Sequence, residues 1–296
     1  MTISKEKEIE TKSDIKANTF VTALELVLFA NHPEYSAITK LALIPLQPLL
    51  ANVIAFAHKE KNKYSEREKI NICKTISHID GINESSSNLN NEWLAEYFDS
   101  IKNINDEQMQ MLWGKILTQE INIPGSYSKR TLNIIRNISA AEARLFESII
   151  PFVFNGVDFY YLPKCKSLKK YGINYYNIML LREAGLLSYD DESALYSVIK
   201  PKNTQPIHNN KKAIILINNS NEEISIELTA MPLTQAANQL MKILEQEPNE
   251  TFLEEFAKEL LINCKKEMQV QLIDVLSVND GIVDYDHKTC RNINID

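Results

Sequence analysis

Glycine is scarce, with 7 in 296 residues. A phosphate cradle needs runs of backbone without Cβ, so a glycine-rich nucleotide-binding fold is disfavoured. Cysteine is equally thin: Cys73, Cys165, Cys264 and Cys290 lie far apart and form no CxxC pair. That excludes a disulfide scaffold and fits free, buried thiols in a reducing cytosol. HExxH, GxSxG and GxxxxGK[ST] are all missing, and His32, His58, His78 and His208 stand alone, so the common metalloprotease, hydrolase and phosphate-loop chemistries have no motif here. No uninterrupted apolar run of about 20 residues exists to span a bilayer. The nearest is LALIPLQPLLANVIAFA, residues 41–57, broken by Pro45, Gln47, Pro48 and Asn52. It reads either as short buried helices or an oligomer contact, or as a bilayer-facing surface made by Leu41, Leu46, Leu49, Leu50, Val53, Ile54 and Phe56. The start, MTISKEKEIETKSD, has no secretory apolar core. Cytoplasmic residence is expected, with inner-membrane association as the alternative.

Charge of one sign is lacking over most of the chain, whose net value is -7. Residues 141–220 carry 10 basic and 7 acidic groups, whereas 221–296 carry 6 and 15. A general nucleic-acid binder shows a clearer basic footprint. The acidic end reads as a solvated face, or as a surface for a basic protein partner.

What the chain does contain is helix. The expected fold class is mainly α with a small β component. Residues 1–82 form an N-terminal helical region and 83–150 a central helical domain. A winged-helix-like domain follows at 151–247, then an acidic helix, a strand and a C-terminal tail at 248–296. Residues 80–91, DGINESSSNLNN, are the clearest linker. In the central block Trp93, Tyr97 and Phe98 seed one helix. Asn105 with Gln108 is expected to cap the next, which carries Met109, Leu112, Trp113, Ile116 and Leu117 at three- and four-residue spacing. Ser126 or Ser128 starts a helix after the turn at Pro124 and Gly125, and Ser139 with Glu142 makes another capping box. Both tryptophans read as core, and Glu96, Asp99 and Glu120 as surface carboxylates.

This block resembles the uncharacterised bacterial family defined by domain of unknown function 2806. The likeness rests on Trp93 at a helix head and on Asp106 and Glu107 before Leu112, Trp113, Ile116, Leu117 and Glu120. Pro124, Gly125 and Ser126, then Lys129 to Leu132, then Leu145 and Phe146 complete it. It is most specific over 91–150, runs more loosely to about 247 and does not reach 1–80. The family implies no catalytic residue and no cofactor, and a setting in phage defence follows from the resemblance alone.

Residues 139–247 resemble a winged helix in the order of their elements: a helix, a short helix near Leu168, a helix from Tyr175 to Glu183 capped by Asn174 and ended by Gly185, then strands at 194–200, 212–218 and 224–228. On that reading Tyr175, Tyr176, Asn177 and Arg182 lie on the recognition helix, and Lys200, Lys202, His208, Lys211 and Lys212 in the wing, where they are candidate nucleic-acid contacts. Little other positive charge supports the helix, so a packing or protein-interaction role is the stronger alternative. Beyond it, Phe252, Phe256 and Leu260 share one helix face. Asp280, Asp284, Asp286, His287 and Cys290 follow neither a calcium-loop nor a zinc spacing and read as an exposed tail. The leading functional expectation is a non-enzymatic interaction or regulatory protein that self-associates or binds a protein partner. The alternatives are a membrane-perturbing effector acting through 41–57 and a winged-helix DNA-binding regulator. No cofactor or metal is expected.

Overall fold

Short polar caps set the helix boundaries. In the computed structural model, which describes residues 28, 48–82, 89–156, 159–189, 194–244, 247–263, 268–279 and 282–294, the chain divides into two compact units, Met1–Asn137 and Ile138–Asp296. The described part of the first contains α1 (Pro48–Glu60), α2 (Glu66–Ile76), α3 (Asn91–Ile101), α4 (Glu107–Asn122) and α5 (Lys129–Asn137). Pro48 opens α1, where its missing N–H costs nothing. Ser65 caps α2 reciprocally with Glu68, and Asn90 Oδ1 accepts from Glu92 N and Trp93 N at 2.8 and 3.2 Å. α4 is capped by Asp106, one residue later than expected, which accepts from Met109 N at 2.9 Å. A carboxylate there also opposes the positive helix end, which the neutral Asn105 would not.

α2 packs on α4, α3 on α5 and α1 on α3. The turn after α2 passes α4 closely enough to need a glycine: a Cβ on Gly114 would lie 2.7 Å from His78 Cβ and 3.0 Å from its carbonyl carbon. Trp93, Tyr97, Phe98 and Trp113 form the buried centre, with Tyr97 stacked on Trp93 at 5.2 Å and edge-on to Trp113 at 5.6 Å.

The second unit begins with α6 (Ala140–Ile149), which carries the expected Ser139–Glu142 capping box. β1 (Phe154–Asn155) and β2 (Tyr160–Pro163) follow, then a 3-10 turn at Ser167–Tyr171 and α7 (Tyr175–Glu183). Asn174 caps α7, and Gly185, at φ 74°, ends it with Leu186 N donating to Leu181 O at 2.9 Å. Only a residue at ease with positive φ closes a helix that way. Next come β3 (Ala194–Ile199), β4 (Thr204–His208), β5 (Lys212–Asn218), β6 (Ile224–Pro232), α8 (Gln235–Leu240), α9 (Glu250–Asn263), β7 (Met268–Asn279) and β8 (Ile282–Asn292).

The eight described strands join one antiparallel sheet in the order β3-β6-β2-β1-β4-β5-β7-β8. This overturns the expectation of a mainly α fold with a small β component. Two strands escaped sequence reading for physical reasons. β4, TQPIH, is short, polar and holds Pro206. β8, IVDYDHKTCRN, is an edge strand whose charges protect it from further pairing and whose order comes from its long hairpin with β7. The residues 284–290 read as a tail therefore lie in a strand.

The sheet is pinched at β1, which meets β4 only at Asn155 opposite His208. It curls there, bringing β3 to β4, where Ser197 Oγ donates to Gln205 Oε1 at 2.9 Å. α9 packs against β7. Its Phe252 and Phe256, one turn apart, are buried against Phe152 and Phe154 at 4.9 and 5.4 Å between ring centroids.

Candidate functional site

Several of the residues that carry the family likeness have structural partners among the described residues. Glu120, 4% exposed, is a core residue and no surface carboxylate. Its two oxygens accept from Gly125 N at 2.7 Å and Tyr127 N at 2.9 Å, holding the turn that leads into α5. Trp93 Nε1 donates to Tyr127 O at 2.8 Å from the other side, and Tyr97 OH donates to Trp113 O at 2.9 Å. Burial, with the Glu120 charge second, pushes the Tyr127 phenol well up. Asp99 pairs with Lys102, and at 2.7 Å with Arg136 of α5, which together hold its carboxyl below the usual range. Such partly exposed pairs contribute little to stability. A buried carboxylate with both oxygens on backbone amides is a tether for a turn and has no reach toward a substrate.

Of the apolar surface expected at 41–57, Leu41 and Leu46 lie outside the described residues, and Leu49 and Leu50 fall in the first turn of α1. Val53 and Ile54 are buried, and Phe56 packs on Phe98 at 5.3 Å. Among the described residues, no helix is long and apolar enough to cross a membrane.

The candidate nucleic-acid contacts do not converge on one cationic face. Tyr175 and Tyr176, 76% and 68% exposed, stand on the first turn of α7. Asn177 is occupied in the capping box with Asn174. Arg182, 4% exposed, turns inward and donates through Nε to Ser188 O at 3.0 Å. Lys200 is exposed beside the β3–β4 turn, and Lys202 Nζ donates to Asn219 O. Lys211 is paired with Glu247, and Lys212 with Asp274 and Glu250 at 2.7 and 3.0 Å. Lys166 and Lys169 of the neighbouring turn are exposed. Glu255 and Glu259 border that turn, Glu255 pairing with Lys170 at 2.9 Å and Glu259 accepting from Lys166 N and Ser167 Oγ.

Inside the curled sheet lies an open trough of about 1130 Å³, which no motif announced. The only legible signal was the alternation of ISIEL, which turns Ile226 and Leu228 the same way. Gln235, Asn238, Gln239 and Lys242 edge the trough, and Asn155 and His208 meet on its wall. The Asn155 Oδ1 atom is buried without a hydrogen-bond partner. Burial lowers the His208 imidazole, whose Nδ1 lies 3.1 Å from Asn209 O. At the end of β5 the buried side chain of Asn218 ties the end of β3 to the β5–β6 turn. Its Nδ2 donates to Ile199 O and Glu222 O at 2.9 and 2.8 Å, and its Oδ1 accepts from Ser220 N and Oγ at 2.9 and 2.7 Å.

Of the sulfur and C-terminal groups, Cys165 is pushed up to about 12, chiefly by burial, which leaves it a thiol at neutral pH. Asp284, Asp286, His287 and Cys290 are spread along β8, and Asp280 lies outside the described residues. Among the described residues, no three His, Cys, Asp or Glu side chains gather as a metal site.

The family model described as "Protein of unknown function (DUF2806)" matches residues 56–162, so the resemblance read from the central block holds; it starts earlier than expected, within α1, and stops at 162, short of the looser extension to 247. No curated protein and no solved structure matches the chain.

Proposed function

We propose that this is a non-enzymatic interaction or regulatory protein whose second unit offers a winged-helix-like face to another protein. The element order supports the winged-helix reading. α6, β2, the 3-10 turn, α7, β3 and β6 come in that order, and β6 lies between β2 and β3, with β1 added before β2 and β4 and β5 inserted where a simple wing would be. One observation carries the choice of a protein over duplex DNA. Of the candidate contacts, Arg182 is turned to a carbonyl and Lys211 and Lys212 to carboxylates, while Tyr175 and Tyr176 are left to solvent. Phosphate tracking needs unpaired Lys and Arg, whereas exposed tyrosines are enriched where proteins meet. The burial of Val53 and Ile54 favours a core role for α1 over a lipid-facing one.

The test is fluorescence anisotropy of labelled duplex DNA titrated with the full chain across a salt series. No saturable binding is expected even at low salt. Binding that weakens steeply with salt and is reduced by Lys200→Ala or Lys202→Ala would move the protein to the DNA-binding class.

A further inference from the structure

We infer that the trough in the second unit binds a single-chain amphipathic anion of the fatty-carboxylate class, its chain on the strands and its headgroup at the mouth beside Lys242. The volume of about 1130 Å³ is at or above the range of roughly 300–1000 Å³ usual for small-ligand clefts. The floor is aliphatic: Leu195 from β3, Ile207 from β4, Leu216 from β5, and Ile226 and Leu228 from β6. Val278 and Val283, paired directly across the β7–β8 hairpin, add a further apolar contact.

The mouth has a different chemistry. α8 and the turn after it place Gln235, Asn238, Gln239 and Lys242 along the trough. Their spacing of three and four residues puts them on one helix face. Asn238 is committed, accepting from Tyr160 N and donating to Leu233 O. Lys242 is exposed, has no carboxylate partner among the described residues, and no described carboxylate lines the trough. The wall sets the orientation. Asn155 Oδ1 is an unpartnered buried acceptor, and His208, with Nδ1 given to Asn209 O, presents its other nitrogen as an acceptor too. Two acceptors repel a carboxylate; the Lys242 ammonium attracts one. An aliphatic floor, one cation among the described residues at a polar mouth and acceptors elsewhere fit a long apolar chain ending in an anion better than a compact polar metabolite.

This inference goes beyond the partner reading and does not depend on it, since nothing in it touches Tyr175 or Tyr176. It is tested by isothermal titration of the full chain with dodecanoate below its micelle concentration, so that monomer and not a lipid surface is offered. One-to-one binding is expected, with dodecylamine markedly weaker. Lys242→Gln should weaken dodecanoate by about fivefold, the scale of one exposed charge pair. Ile226→Trp should fill the floor and abolish binding while circular dichroism and Tm stay as in the wild type. If Ile226→Trp fails to fold, Lys242→Gln still decides, because Lys242 is exposed. No heat with dodecanoate overturns the inference, as does binding that Lys242→Gln leaves unchanged or that dodecylamine equals.

Discussion

At the scale of single residues, Glu120 spends a buried carboxylate on two backbone N–H groups, and no periodicity in the sequence reveals that. Its acceptors are needed five and seven residues ahead, across a turn, so a carboxylate on a helix read as solvent-facing. Trp93 and Trp113 were legible as core, because aromatic residues at helical spacing have few other uses, and both are buried. Glu120→Gln replaces one acceptor with a donor facing a donor. It should cost about 2–4 kcal/mol, the range for an unsatisfied buried polar group near a charge. Urea unfolding checks this, and a loss below a few tenths would show that the turn holds without the carboxylate. Asn218→Ala strands several backbone groups at once and should cost about 3 kcal/mol, read the same way. His208 gives a pH prediction. Burial lowers its folded-state value below the ordinary 6.5, so the unfolded chain binds that proton more readily. The contribution of the neutral ring is present above 6.5 and is lost as pH falls through the depressed value. His208→Asn should therefore lose less stability than the wild type between pH 7.5 and 5.5. Parallel curves would contradict the burial that lowers it.

At the scale of elements, the helices were readable because caps and three- and four-residue spacing are local. Ser139 with Glu142 and Asn174 before α7 stand where the sequence put them. The sheet was only partly readable, since β4 and β8 are polar or charged strands whose order comes from their hairpins with β5 and β7 and not from an apolar alternation of their own. The trough was not readable at all: it arises from the pinch at β1, where the sheet turns on a single residue pair. Two substitutions test packing. Gly114→Ala would push a methyl to within 2.7 Å of His78 Cβ and should cost about 1–3 kcal/mol, with a wild-type Tm arguing against so close an approach. Val53→Asp buries an unpaired charge in the first unit and should unfold or severely destabilise it. If Val53 faced lipid instead, that variant would keep its Tm and lose only its partitioning to vesicles.

At the scale of the whole molecule, Trp93, Trp113 and Glu120 of the family-like stretch hold the helical unit together, while Tyr175 and Tyr176 stand exposed on the second unit. Composition had already weakened the nucleic-acid reading through the balance of charges. It could not reveal that Lys211 and Lys212 are neutralised, because Glu247, Glu250 and Asp274 come to them from distant positions in the chain. The most direct measurement is site-specific photocrosslinking in cells from residue 176, with a photoreactive phenylalanine in place of Tyr176 in the full-length chain. A discrete adduct that protease destroys and nuclease does not is expected, an adduct of twice the chain's mass marking a second copy as the partner. A nuclease-sensitive adduct, or none from position 176 in cells where the protein is folded, would contradict the protein-partner reading.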